Sequence, residues 1–241
     1  MQLALVKRRI GTMRARHMGR CGGESILSDD DQSAENRAAE YEAKKNAKHK
    51  SAMEKQKSNV DASIAAASID RGVGILLTGN GKGKSSSAFG MVMRALGYGH
   101  KVGVVQFIKG QQLSGEEIYL RDNCPEVEFY QMGTGFTWDT QDRSADIETA
   151  KKTWAVAKPM LQDAQFDLVV LDELTYMLAY NYLPEDELIE ALTNRPENQS
   201  VVVTGRGGGS RLADIMDTVS EIKEIKHAYN DGIQARKGVD F

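Results

Sequence analysis

The chain has 241 residues, 41% of them hydrophobic, which is room for one sizeable α/β domain with extra material. A net charge of −3 excludes a global field that would draw the protein onto nucleic acid or anionic lipid. Two widely separated cysteines, Cys21 and Cys124, exclude a Cys-based metal or redox motif, make a disulfide framework unexpected and fit a reducing cytoplasm, and no apolar run is long enough to cross a membrane.

The opening "MQLALVKRRIGTMRARHMGR" carries Lys7, Arg8, Arg9, Arg14, Arg16 and Arg20 and no acid. A basic targeting segment would look like this. A disordered extension, or residues upstream of a start nearer Met13 or Met18, is preferred, because "GGESILSDDD" shows no cleavage signal. Residues 1–33 are set apart on that basis. From about Ser33 to Ala67 the chain is rich in Ala, Glu and Lys with no Gly or Pro, so it is helical by propensity. Its apolar positions are few and small, and residues 34–70 read as an exposed or partner-dependent arm.

Residues 71–241 carry the core. Val73–Thr78 reads as a strand, followed by a Gly-rich turn and a helix through Leu96. Lys101–Gly110 and Glu126–Met132 are the next strands, and a long helix fits Asp142–Ala164. "FDLVVLDEL" and "SVVVTGRG" read as buried strands, and Val219–Lys226 as the last. Strands apolar on both faces, with helices between them, predict a parallel sheet covered on both sides. Ligands of such sheets sit at the carboxyl ends of the strands. The Gly-rich loop, Phe107–Gly110, Asp172–Glu173 and Thr204–Arg206 all fall there.

The loop Gly79-Asn80-Gly81-Lys82-Gly83-Lys84-Ser85, with Ser86 behind it, joins a strand to a helix. Glycines let backbone N–H groups approach an anion, and a helix N-terminus favours negative charge. Lys84 adds a point charge, and the Ser85 hydroxyl can reach a phosphate-bound cation. The spacing departs from G-x-x-x-x-G-K-[ST], because Thr78 stands where the first glycine would be. An apolar strand ending in Asp172-Glu173 is the usual companion of a phosphate loop, and one of the two acids would serve the metal. In "MGTGFTWDTQ", Phe136 and Trp138 alternate on a Gly-flanked stretch; they either plug the core or form a wall against a large flat ligand. Arg206 is placed to meet phosphate or substrate carboxylate, or to make a surface salt bridge. His227 reads as structural or hydrogen-bonded.

Taken together, "TGNGKGKSS", "KVGVVQFIKG", "MGTGFTWDTQ", "LDELTYML", "YNYLP", "NRP", "TGRG" and "DTVSEIKEIKHAYNDGIQARKGVDF" resemble the cobalamin adenosyltransferase family of the BtuR/CobA/CobO type, from about Ala34 to Phe241. The resemblance implies a RecA-like P-loop fold and transfer of the 5′-deoxyadenosyl group of ATP to cobalt(I) of a reduced corrinoid, with triphosphate leaving intact. It implies that Gly79–Ser85, with Ser86, bind ATP, that Ser85 and Glu173 hold Mg²⁺ or Mn²⁺, and that Arg94 touches the nucleotide. It also implies that Phe136 and Trp138 displace the lower cobalt ligand. A homodimer, an N-terminal helix over the corrinoid and a flavin-type reductase for cobalt(II) follow in the same way. Ser85-Ser86-Ser87 replaces the family's usual Thr-Thr-Ala, and "GRGGGSRL" is unusually Gly-rich, so Arg211 receives no role. The rival classes are a P-loop kinase or ATPase, a RecA-like nucleic-acid ATPase disfavoured by the acidic balance, and a non-catalytic carrier.

Overall fold

The computed structural model describes residues 29–108, 113–132 and 143–241. They fall into two units, one within Met1–Ser68 and the other Ile69–Phe241. In the first, α1 (Asp29–Ala66) is a single helix of 38 residues. Strong helix formers sustain it, and the pairs Glu40–Lys44 and Glu42–Lys45 add local support.

The second unit is a six-stranded sheet built from β1 (Gly74–Thr78), β2 (Val102–Gln106), β3 (Glu128–Gln131), β4 (Leu168–Asp172), β5 (Ser200–Thr204) and β6 (Thr218–Glu221). Its order is β3-β2-β4-β5-β1-β6, and every neighbouring pair is parallel. β2 and β4 are buried at all five positions, which is why they read as unbroken apolar runs. Side chains alternate between two cores. Val169 and Leu171 join Trp154, Leu161, Leu188 and Leu212 on one face, while Leu168 and Val170 join Phe89, Val92 and Leu120 on the other.

The helices are α2 (Lys84–Gly97), α3 (Gly115–Asn123), α4 (Arg143–Gln162), α5 (Thr175–Ala179), α6 (Glu185–Thr193) and α7 (Ser210–Ile215). α2 and α3 supply Phe89, Val92 and Leu120 to one core, and α4, α6 and α7 supply Trp154, Leu188 and Leu212 to the other. One strand, β5, stands between the loop-bearing β1 and the acid-bearing β4. This is the α/β architecture expected from the sequence, a parallel sheet covered on both faces.

The register aligns the carboxyl ends that matter. Gln106 lies opposite Asp172, and Leu77 opposite Thr204. At the other end of β1, Asp217 accepts from Gly74 N (2.7 Å) and from both terminal nitrogens of Arg71, fixing the start of the strand.

All six strands are shorter than the runs expected from the sequence, β2, β3 and β6 among them. β2 stops at Gln106; Phe107 and Ile108 turn into the core, and residues 109–110 lie outside the described ones. β3 forms its ladder only over Glu128–Gln131. β6 ends at Glu221: the Ile222 N–H still donates to Thr78 O (2.7 Å), but its carbonyl accepts from Gly81 N (2.7 Å) in the loop.

Candidate functional site

Gly79 and Gly81 are glycines because the chain after β6 passes against them. A Cβ at Gly79 would lie 2.4 Å from the Ile222 carbonyl oxygen, and one at Gly81 2.7 Å from the Lys223 carbonyl. Gly83 differs: its φ is +121°, and a Cβ there would meet nothing within 4 Å. It immediately precedes α2 and offers no side-chain cap, so the first-turn N–H groups of that helix have no side-chain partner. Two glycines thus brace the loop and the third leaves the helix end open to an anion.

Lys84 begins α2 and is 5% exposed, with its ammonium donating to the Gly81 carbonyl (2.9 Å). Burial, and secondarily the nearby Arg206, lower its pKa; Glu173 and Asp172 oppose this more weakly. Such a cation gains most from a polyanion in the same site.

The two acids differ in their surroundings. Asp172 is 1% exposed, and both its oxygens are committed: Oδ2 accepts from Gln106 Nε2 (2.8 Å) and Oδ1 from Thr204 Oγ1 (2.6 Å). Thr204 Oγ1 in turn accepts from the Glu173 backbone N–H (2.9 Å). Glu173 has φ +61°, a left-handed conformation that non-glycine residues adopt at a cost of about 1–3 kcal/mol. That twist, held by Thr204, brings Glu173 onto the cavity wall while Asp172 stays beneath.

The cavity has a volume of about 720 Å³. Residues 81–86, Glu173 and Arg206 form its polar side, and Phe89, Met93, Tyr119 and Leu120 supply apolar surface. Arg206 sits on a turn where Gly205, Gly207, Gly208 and Gly209 all have positive φ, which accounts for the Gly-rich "GRGGGS". Arg211 points elsewhere, pairing with Asp186 (2.7 Å) and Glu185 (3.4 Å) at the start of α6. Gly79, Asn80 and the exposed Arg94 are not among the lining residues. Phe136 and Trp138 lie outside the described residues.

Two lining segments escaped the sequence reading. One is Ser114–Leu120, where Ser114 Oγ accepts from Glu117 N (3.3 Å) and caps α3. The pattern Ser114-Gly-Glu-Glu117 carried that signal. The other is Gly238–Phe241 with His227, within a stretch that carried the family resemblance but no site role. His227 Nδ1 accepts from Tyr229 N (3.2 Å), a capping role that agrees with its structural reading.

Among the described residues no three His, Cys, Asp or Glu side chains gather around a possible metal. A lone carboxylate beside a hydroxyl is the donor set that suits Mg²⁺ shared with substrate phosphates, and Glu173 and Ser85 on one cavity supply it. Among the described residues no helix is long and apolar enough to cross a membrane.

Comparison with known proteins places the chain in a family. Residues 70–241 match the sequence model of the ATP:corrinoid adenosyltransferase BtuR/CobO/CobP family. The chain is 51% identical over 197 residues to a corrinoid adenosyltransferase of Pseudomonas aeruginosa, covering 82% of this chain and 97% of that one. It is 49% identical over 189 residues to one of Escherichia coli K12, covering 78% and 95%. The Salmonella typhimurium corrinoid adenosyltransferase CobA is 50% identical over 189 residues, with the same coverage of 78% and 95%. By this family match, and by relatives about half identical over nearly their whole length, the chain belongs to the ATP:corrinoid adenosyltransferase family.

Proposed function

We propose that residues 81–86 and Lys84 hold the triphosphate of ATP while the 5′-deoxyadenosyl group passes to cobalt(I) of a corrinoid substrate, in cobalamin biosynthesis or salvage. The observation that carries this reading is the convergence of an open helix N-terminus, a buried ammonium and Glu173 on one side of a cavity that also has apolar walls. Cobalt(I) is itself a strong nucleophile, so the protein need supply no attacking group. What it must stabilise is the charge that develops on departing triphosphate. The α2 N–H groups and Lys84 do this from fixed positions, which spares reorganisation at the moment of reaction, and Lys82 adds a further positive charge. Ser85 and Glu173 would hold Mg²⁺ or Mn²⁺, which when bound supplies Lewis-acid neutralisation of phosphate oxygens. Thr204 and Asp172 keep Glu173 aimed at the cavity. Holding the ribose carbon and the corrinoid in line is worth roughly 7–11 kcal/mol in well-oriented cases.

The division into an extension (1–33), a helical arm (34–70) and a catalytic domain (71–241) belongs to the same proposal. α1 serves as a lid of a homodimer that excludes water from the reduced corrinoid, a role its uninterrupted helical composition supports. Gly79 and Asn80 act through the loop's shape. Arg94, in the helix after the loop, contacts the nucleotide as the family resemblance implies. Phe136 and Trp138 form the apolar wall that displaces the lower cobalt ligand. The enzyme acts in the cytoplasm, with a flavin-type reductase delivering the electron to cobalt(II).

Anaerobic incubation with Mg²⁺-ATP and chemically reduced corrinoid tests the reaction. The expected products are inorganic triphosphate and a light-sensitive cobalt–carbon species. ADP and phosphate formed without corrinoid would establish the kinase or ATPase reading instead. Trp138→Ala should damage the reaction from cobalt(II) more than that from cobalt(I), and equal activity in both would remove the ligand-displacing role.

A further inference from the structure

The two lysines of the loop are held differently. Lys84 donates within the loop, to the Gly81 carbonyl. Lys82 pairs with a carboxylate far away in sequence, with its Nζ 2.9 Å from Asp240 Oδ1. Asp240 is fixed by a closed turn: its Oδ2 accepts from Arg236 N (2.9 Å), its own N–H donates to Arg236 O (2.8 Å), and Gly238 N donates to Phe241 O (2.8 Å). Lys82, the Arg236 N–H and, more weakly, His227 hold the carboxyl below the ordinary carboxylate range, so it is ionised at neutral pH. The pair also stands between two cavities. Lys82, His227, Val239 and Asp240 border both the large cavity and a second one of about 340 Å³.

A carboxylate on the wall of a polyanion site is costly to that polyanion unless it has a task. It repels phosphate and occupies a cation that phosphate would otherwise hold. Resting on the reading that this loop binds triphosphate, we propose that Asp240 is a positioning residue that competes with triphosphate for Lys82. The polyanion draws the ammonium across on binding, and the carboxylate takes it back on release. Lys82 thus strengthens the grip on the leaving group without locking the product in place. No covalent bond forms or breaks in this exchange.

Isothermal titration with inorganic tripolyphosphate and Mg²⁺ tests it in the full chain and in the variants Asp240→Asn, Asp240→Glu, Lys82→Ala, Lys84→Ala and Lys82→Ala/Asp240→Asn. Asp240→Asn should tighten binding about two- to fivefold, the factor expected for a partly exposed ion pair. Asp240→Glu should keep the wild-type affinity. In the Lys82→Ala background the Asp240→Asn gain should be smaller, leaving only the relief of direct repulsion, a coupling that a merely structural role would not produce. Unchanged or weaker binding by Asp240→Asn, or an equal gain without Lys82, overturns the proposal. If Lys84→Ala binds tripolyphosphate as well as wild type, the triphosphate reading of the loop has failed. If Lys84→Ala loses binding while Asp240→Asn changes nothing, only the role of Asp240 has failed.

Discussion

Replacing Thr204 with Val separates the support of the site from its chemistry. The hydroxyl donates to the buried Asp172 carboxylate at 2.6 Å and accepts from the Glu173 N–H at 2.9 Å. A hydrogen bond to a charged group contributes about 1.5–3 kcal/mol, and a backbone N–H left without its partner costs about 1–3 kcal/mol. The added methyl of Val recovers part of this, so the net loss should be about 2–4 kcal/mol. For a chain of this size that corresponds to a fall in Tm of roughly 5–15 °C. The loss should also appear in function, because Thr204 anchors the left-handed Glu173 backbone; KM for Mg²⁺-ATP should rise more than kcat falls. Thr204→Ser keeps the hydroxyl and should stay within about 1 kcal/mol of wild type. Thermal melts and steady-state kinetics on both variants decide it. If Val and Ser melt together, or if Val leaves the KM for Mg²⁺-ATP unchanged, the Asp172–Thr204–Glu173 chain is not what positions the site.

The remaining expectations concern charge and backbone. Lys84→Met should cut kcat/KM about 10²–10³-fold. It should nonetheless leave Tm unchanged or higher, since burial lowers the Lys84 pKa and the folded protein thus disfavours its charge; a lower Tm would contradict that. Asp217 has its pKa lowered to about 2 by Arg71 and the Gly74 N–H, so its stabilisation is fully present above about pH 4 and fades as pH falls towards 2. The ceiling is roughly 2.4 kcal/mol by linkage, and screening of side chains 43% and 29% exposed reduces it to about 1 kcal/mol. In denaturation from pH 7 to pH 2.5, Asp217→Asn should therefore be less stable near neutrality, with the gap closing only in acid; a gap independent of pH would refute this. Gly81→Ala should destabilise by more than about 3 kcal/mol because its Cβ meets the Lys223 backbone. Gly83→Ala should cost only about 1–2 kcal/mol in melts but raise KM for ATP at least tenfold, since only its φ and its open face are affected.

The sequence by itself determined the sheet and the class of chemistry. Unbroken apolar runs at Val102–Gln106 and Leu168–Asp172 required burial on both faces, and the Gly-Lys-Ser turn between strand and helix predicted an anion site. The family motifs then narrowed the reaction. Three things needed the tertiary structure. Asp172 and Glu173 are neighbours of the same type, and only Gln106 and Thr204, from strands 66 and 32 residues away, decide which carboxylate is sequestered. Gly79 and Gly81 look like phosphate-binding glycines, yet their lack of a Cβ is enforced by Ile222 and Lys223, whose approach depends on where β6 ends. Asp240 carries no local signal at all; its meaning comes from being folded back onto Lys82, a contact across 158 residues. Periodicity and propensity report what a segment needs from its own side chains. Which carboxylate meets which cation is set by register and by chain return, and those exist only once the sheet has assembled.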